Sequence, residues 1–454
     1  MGDFGLIDAI AREAMLFAGV GLLIGGLDDF AIDLIYLLRR LWTRRRPRTW
    51  LTTLPCPKQP GRIVIFVPAW DEVAVIGHML TNALARFDHA DYRIYVGVYP
   101  NDQPTIDAAV AVAHGDYRVR IVIGDKPGPT TKADCLNTLW RELLSDERVE
   151  GVFAKAVVLH DSEDVVHPAE LRIFDTLIEG RAVVQVPVLP LVKHGSRLVS
   201  GHYADEFAEA HTKQLIVRTA LGAGLPLAGT GCAIAPAMLA KVAALRGGDP
   251  FDATSLTEDY ELGLRIAELG GEGLFARVHQ DDGQVVAVRA YFPGDLVSAI
   301  RQKARWMTGI AFAGWDRTGW AGPFALSDHW MRMRDRRAPV AMLVLATAYV
   351  GLLLWGVAAL IHLIRGTTPP EPSPLLNDFI FWNALLLCWR LAMRMTFTGR
   401  VYGWQEALWS VPRFIVGNFV ALAAAPRALL RYAGILRGHA PVWDKTQHEF
   451  PDAA

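Results

Sequence analysis

The most chemically suggestive stretch of the sequence is His160-Asp161-Ser162-Glu163-Asp164, which closes the apolar run AKAVVL. Asp161 and Glu163 alternate, so an extended backbone aims both carboxylates into one small volume. Like charges held that close are costly unless a cation joins them, and no Lys or Arg adjoins the pair. Mg²⁺ or Mn²⁺ is commonly held in this way, by one or two carboxylates with phosphate oxygens of a substrate completing the octahedron. The sequence has neither G-x-x-x-x-G-K-[ST] nor G-x-G-x-x-G, which leaves a metal clamp as the available grip on phosphate. A helix N-cap is the alternative, since Ser162 and Asp164 precede a helical-looking stretch. A cap needs only one acid.

Four short apolar runs, RIVIFVPA, YRIYVGVYP, VRIVIGD and AKAVVLHD, are separated by the amphipathic HMLTNALARF, TIDAAVAVAH and ADCLNTLWRELL. This alternation predicts an α/β domain with a mainly parallel sheet and helices on both faces. Ligands of such sheets lie beyond the carboxyl ends of the strands. The residues there are polar: Asp71-Glu72, Asn101-Asp102, Gly124-Asp125 leading to Lys132, and the acids from Asp161 to Asp164. Any one of these reads equally as an ordinary polar loop; jointly they mark one edge of the sheet.

The chain of 454 residues is 52% hydrophobic and 20% charged, and its mean hydropathy is positive. Disorder is excluded, and part of the chain must meet lipid. At about 150 residues per domain, two or three units fit. A net charge of −1 gives no footprint for nucleic acid. Cys56, Cys135, Cys232 and Cys388 form no C-x-x-C pair, which argues against a zinc centre or a disulfide framework and fits a reducing compartment.

Ala338 to Ile361 carries no charge and exceeds the ~20 residues a span needs, so a crossing is predicted at about 340–364. A second is predicted at about 379–397, where Arg390 and Arg394 must face protein or reach an interface. The N-terminal LFAGVGLLIGGL is followed by Asp28, Asp29 and Asp33, an interrupted span or partly interfacial helix that reads as an anchor within residues 1–48. Gly21-x-x-x-Gly25 offers it a packing face. The acid-containing MGDFGLIDAIARE and the lack of an A-x-A site argue against cleavage. The run at about 408–433, with Pro412, Arg413 and Asn418, is predicted to be interfacial or re-entrant. Arg39, Arg40, Arg44, Arg45, Arg46 and Arg48 follow the first segment, and Arg332, Arg334, Arg336 and Arg337 precede the second. Both flanks are therefore expected in the cytosol, with the domain at 49–337 cytosolic and the N-terminus periplasmic. Residues 338–454 form the C-terminal membrane region and tail.

These residues resemble the inverting family 2 glycosyltransferases of GT-A fold. Val67-Pro68-Ala69-Trp70-Asp71-Glu72 is similar to the opening strand motif, Lys132-Ala133-Asp134-Cys135-Leu136-Asn137 to K-A-x-x-L-N, and Asp161-Ser162-Glu163 to D-x-D. Glu163 stands where the family has Asp, and Asp164 is beside it, so either could be the second metal ligand. Gly229-Thr230-Gly231 resembles the acceptor-side glycine loop, Thr257-Glu258-Asp259 the T-E-D motif, and Gln302-Lys303-Ala304-Arg305-Trp306 the Q-x-x-R-W of the processive, cellulose-synthase-like branch. LDDFAIDLIYLLRR, DEFAEAHTKQLIVR and WDKTQHEFP are similar to the phage adsorption protein B group of membrane glycosyltransferases, which implies synthesis of an exported glycan at a bacterial inner membrane. Members of that group often carry a further C-terminal domain that binds a cyclic dinucleotide. The sequence stops at Ala454, and direct control by such a nucleotide is not expected.

The resemblance implies hexose transfer from a nucleotide sugar, UDP-linked, by in-line attack with inversion. Metal at Asp161 with Glu163 or Asp164, helped by Arg305, would stabilise the leaving diphosphate. Asp259, with Glu258 beside it, would be the base. Pro68, Asp71, Glu72 and Asp102 would contact the nucleotide, with Lys132 as countercharge. Gly229, Thr230, Gly231, Gln302 and Trp306 would meet the acceptor. Gln302, Arg305 and Trp306 fall on one helical face, and Trp306 offers a flat surface to a sugar; the same basic, aromatic helix ahead of a span also fits a membrane-surface anchor. His160, His167, His202 and His211 read as structural or surface residues. Few crossings leave little to line a polar passage, so an export partner protein is expected. The alternatives are single transfer to a lipid-linked acceptor and an inactive membrane component of an envelope complex.

Overall fold

The structure, a computed structural model, describes residues 4–43, 48–439 and 448–451; Arg44, Arg45, Arg46 and the WDKTQ part of the terminal motif lie outside the described residues. Seven strands form the central sheet: β1 (Arg62–Pro68), β2 (Tyr92–Val98), β3 (Val119–Ile123), β4 (Ala154–Leu159), β5 (Val183–Gln185), β6 (Cys232–Ile234) and β7 (Gly273–Phe275). Their order is β3-β2-β1-β4-β6-β5-β7. All pairings are parallel except those of β6, which runs antiparallel to β4 and β5.

Near-continuous apolar strands are what burial on both faces demands, and Ile63 to Val67 and Ala156 to Val158 are fully buried. Helices Ile76–Arg86, Gln103–Ala113 and Glu170–Leu177 pack in one core cluster, and Lys132–Glu150, Pro236–Leu245 and Glu258–Glu268 in the other. The alternation read from Gly61 onward is borne out. Three-residue β6 is too short for any period to register. Neighbours of β1 lie on both its sides, so the strand order reverses there, and the crevice beyond β1 and β4 is the natural ligand site. Helix Lys132–Glu150 opens at this edge: Thr131 Oγ1 accepts from Asp134 N–H at 3.2 Å, and Gly151 at φ 66° closes the other end.

Four helices are long and apolar enough, by length and composition, to cross a membrane: Gly5–Trp42, Ala338–Arg365, Pro374–Tyr402 and Trp404–Leu436. The first is unbroken from Phe4 because each acid within it is matched. Asp28 accepts from Trp330, Arg334 and Arg337, Asp29 from Arg334, Arg337 and Arg390, and Asp33 from Lys213 and Trp389. Arg390 and Arg394 thus face protein, Arg394 Nε lying 3.6 Å from Glu209 Oε2. Close packing of the first helix runs through Gly21 and Gly26 rather than Gly25: a Cβ would stand 2.5 Å from Val344 at Gly21 and 2.9 Å from Leu386 at Gly26, with nothing within 4 Å of Gly25.

Helix Trp404–Leu436 stays in contact with the sheet domain along its length. Glu406 pairs with Arg197 and Arg413 with Asp205, Val420 packs with Ala299 and Tyr203, and Ala424 and Ala428 pack with Ala304 and Met307. Near its end, Tyr432 Oη donates to Asp316 at 2.6 Å.

Candidate active site

Beyond β1 and β4 lies a cavity of about 120 Å³ whose lining includes Pro68, Glu72, Lys132, Asp161, Glu163, Asp164, Thr230, Glu258, Asp259, Gln302, Arg305, Trp306 and His448. Glu72, Glu163 and His448 each bring one potential ligand atom within 4.8 Å of the others. His448 Nδ1 is 2.9 Å from Glu72 Oε1 and 3.3 Å from Glu163 Oε2. Burial raises the Glu163 carboxyl to about 8, and Asp161, Glu72 and Asp164 add to this while His448 opposes it. A carboxyl that resists ionising beside other acids marks a place where a cation would be favoured.

Lys132 Nζ donates to Asp161 Oδ1 and, at 3.3 Å, to Gly229 O, and stands 4.0 Å from Glu258 Oε1. Burial works against its charge, but Asp161, Glu258 and Asp259 prevail and hold its pKa above the ordinary value. No basic residue adjoins the acid pair in sequence, yet Lys132 faces Asp161 and His448 faces Glu163. Both come from elsewhere in the chain, and only the fold brings them in.

Asp164 is engaged by its own loop. Its Oδ2 accepts from Asp161 N–H at 2.8 Å, from Thr230 Oγ1, and lies 2.9 Å from His160 Nδ1. His160 is fully buried, with Nε2 2.9 Å from Glu170 Oε1, and these two carboxylates lift it to about 10 against the effect of burial. Asp164 and His160 therefore shape the loop that follows β4, and Glu163 is the acid grouped with Glu72 and His448.

Helix Glu258–Glu268 delivers the second pair of acids. Burial, then Asp259, raises Glu258 to about 7; burial raises Asp259 too, with Lys132 opposing. Gly229, at φ 75°, abuts Asp259: a Cβ there would stand 2.6 Å from Oδ2, so glycine alone admits the carboxylate. Gln185 Nε2 steadies this loop by donating to Thr230 O and Gly231 O, both at 2.9 Å.

Helix Leu296–Met307 starts on Asp295, whose Oδ1 accepts from Ser298 N–H at 2.9 Å, and brings Gln302, Arg305 and Trp306 together into the lining. Gln302 Oε1 is buried without a hydrogen-bond partner, an acceptor available to a hydroxyl. The Trp306 ring meets Tyr203 edge-on at 5.9 Å, and Lys303 Nζ sits 5.3 Å from its centroid. The helix continues into a π turn, Thr308–Phe312, a feature frequent at functional sites. There Gly309 lies tight against Thr257, and farther on Arg317 Nε reaches both carboxylate oxygens of Glu261, at 3.0 and 2.9 Å. The helices carrying Asp259 and Arg305 are thus clamped together.

Asp71 and Asp102 are not in the lining. Asp71, at φ 54°, donates its N–H to Asp102 Oδ2 at 2.6 Å, and Asp102 also caps helix Gln103–Ala113. Gly229 and Gly231 are not in the lining either: Gly229 O accepts from Lys132 Nζ and Gly231 O from Gln185 Nε2. His448 is the residue that reading the sequence missed, because a lone histidine carries no spacing signal. Its neighbours pin it: Phe450 stacks on His78 at 5.9 Å and Glu449 pairs with Lys193.

Residues 60–309 match the family described as Glycosyltransferase like family 2. The chain belongs to this family. The glycosyltransferase is 34% identical over 458 residues to Bacteriophage adsorption protein B of Escherichia coli (strain K12), and to the same degree to Bacteriophage N4 adsorption protein B of Escherichia coli O157:H7. These alignments cover 94% of the chain and 60% of each relative, so the chain spans about 60% of their length. It is similar in structure to the mannosyltransferase PcManGT from Pyrobaculum calidifontis, solved in complex with GDP-Man and Mn²⁺, with a TM-score of 0.54 and 17% identity, covering 94% of this chain and 99% of that one. The shared fold is GT-A. The expected family, fold and enzyme class hold, and the protein is a membrane glycosyltransferase.

Proposed function

We propose that this enzyme moves a sugar, with inversion, from a nucleoside-diphosphate donor to a hydroxyl of a growing glycan destined for export across a bacterial inner membrane. One observation carries the reading: a single cavity holds Asp161, Glu72, Glu163 and His448 together with Asp259, Arg305 and Trp306. Two carboxylates and an imidazole, with Asp161 beside them, suit Mn²⁺ or Mg²⁺; Glu72, Glu163 and His448 would hold it, and Asp161 would add its charge from the Lys132 side. Such an ion, when bound, supplies Lewis-acid stabilisation of the diphosphate.

The chain's own groups do the rest. Asp259 takes the proton of the attacking hydroxyl, its pKa raised by burial toward the working range of a base. Arg305 and Lys132 face the charge of the leaving group. Gln302 Oε1 accepts from an acceptor hydroxyl, and Trp306 presents its face to a sugar ring. A single displacement inverts configuration. We read the donor as UDP-linked, and the GDP-Man of the archaeal structure names the second donor to test.

Arginine placement supports a cytosolic catalytic domain and a periplasmic N-terminus. Helix Trp404–Leu436 is read as lying along the membrane surface, because a helix leaving to cross ~30 Å of hydrocarbon would keep contact with the domain at one end only. Three crossings remain, too few to line a polar passage, so an export partner is inferred. The Q-x-x-R-W helix packs on this surface helix through Ala304 and Met307, which brings the acceptor side close to lipid and favours, as a second reading, single transfer to a lipid-linked acceptor. Product length on gels separates the two.

The test uses membranes incubated with labelled UDP- and GDP-sugars, with Mn²⁺ or with excess chelator. Asp161→Asn should lose metal-dependent donor binding. Asp259→Asn should bind donor nearly as the parent does, yet transfer about 10² to 10⁴-fold more slowly. Full activity in chelator overturns the metal assignment, and near-parental transfer by Asp259→Asn overturns the base.

A further inference from the structure

Away from the cavity, three arginines meet where helices Phe4–Trp42 and Pro374–Tyr402 come to their ends. Thr49 and Trp50 pair in parallel with Val278 and His279, so Arg48 and Arg277 stand opposite each other at the start of this short ladder, an arrangement in which like charges repel. Arg277 donates from Nη1 to Thr212 O at 3.4 Å, while its Nε is buried without a hydrogen-bond partner. Arg400 lies over the Phe397 ring at 5.5 Å, and that ring meets Tyr36 edge-on at 5.3 Å. Tyr36 in turn neighbours Arg277.

Among the described residues, none of the three has a carboxylate partner. Burial, and then the fields of Arg48 and Arg400, push the Arg277 pKa down, with only Tyr36 opposing. By contrast, Arg334, Arg337, Arg390 and Arg413 are each matched by an acid. A guanidinium with an unsatisfied donor and cations for neighbours is relieved by an anion, and phosphate oxygens fit its fork. The depth is marked by Trp42 and Trp404, which border the two helix ends and are 87% and 71% exposed; tryptophans gather where a membrane meets water. Arg39, Arg40 and Arg400 close the same helix ends.

We propose that Arg48, Arg277 and Arg400 form a binding site for the phosphate of an anionic phospholipid headgroup in the cytoplasmic leaflet. The inference rests on the membrane reading and is independent of the catalytic one. The test takes the purified full chain in a zwitterionic detergent and follows thermal unfolding while phosphatidylglycerol, phosphatidylcholine or inorganic phosphate is added. Phosphatidylglycerol should raise the midpoint, and the other two should not. Arg277→Gln and Arg400→Gln should each weaken the phosphatidylglycerol response about fivefold, the share of one arginine at an anionic surface. Arg141→Gln, which removes a cation paired with Asp249 on the sheet domain, should respond as the parent does. With phosphatidylcholine alone, Arg277→Gln should unfold no earlier than the parent, because it removes an uncompensated charge; a purely structural arginine would be missed. Should Arg277→Gln fail to fold, Arg48→Gln and Arg400→Gln decide. Equal responses to the two lipids, or undiminished responses in the arginine variants, overturn the site. A response to inorganic phosphate as large as that to lipid overturns the lipid assignment.

Discussion

Gly229→Ala asks whether the position of the Asp259 carboxylate is what makes the cavity catalytic. Gly229 sits at φ 75°, where an L-residue loses about 1–2 kcal/mol relative to right-handed conformations. The added methyl would stand 2.6 Å from Asp259 Oδ2 and 3.3 Å from Lys132 Nζ, whereas ordinary contact begins at 3.4 Å. The carboxylate must therefore withdraw by about 0.8 Å, the difference between 3.4 and 2.6 Å. Misplacing a reacting group by about 1 Å can cost about 10²-fold in rate. Transfer by Gly229→Ala should thus fall about 10²-fold at saturating donor, with a stability loss of only about 1–2 kcal/mol. Gly115 supplies the control, since it has φ 85° and a methyl added there would meet nothing within 4 Å. Gly115→Ala should lose similar stability and keep its activity. Initial rates with labelled nucleotide sugar, alongside thermal unfolding of both variants, make the comparison. Gly229→Ala turning over at more than half the parental rate, or Gly115→Ala slowed to the same extent, refutes the reasoning.

His448→Ala should weaken Mn²⁺-dependent nucleotide binding at least about tenfold, measured by calorimetric titration; unchanged affinity removes His448 from the site. In the metal-free protein Glu163 and Glu258 carry pKa values of about 8 and about 7, raised from 4.5. The folded state then holds more protons than the unfolded chain between those values, so this contribution to stability is complete below 4.5 and is lost as pH rises through 7 and 8. The unfolding midpoint in chelator should fall between about pH 5.5 and 8.5 and recover with Mn²⁺; a rising midpoint in chelator contradicts this. Arg413 and Asp205 are both fully buried, 3.3 Å apart, so Arg413→Ala should cost about 3–5 kcal/mol by stranding a carboxylate, and joint replacement by Met and Leu should recover most of it in denaturant titration.

Local pattern by itself determined the alternating strands from Arg62 to Leu159, the helix that presents Gln302, Arg305 and Trp306 on one face, and the acids at the carboxyl edge of the sheet. These follow from backbone periodicity and burial, which near neighbours in the chain encode. Tertiary structure decided the partners of the charges. Lys132 lies 29 residues from Asp161, and His448 reaches Glu72 across 376. Asp164 rather than Glu163 turned inward because Thr230 and His160 meet it there. The acids of the first helix became compatible with an unbroken helix only through Arg334, Arg337, Arg390 and Lys213. An ion pair depends on the distance between groups and on how much water the fold excludes around them, and neither quantity is a property of a stretch of sequence.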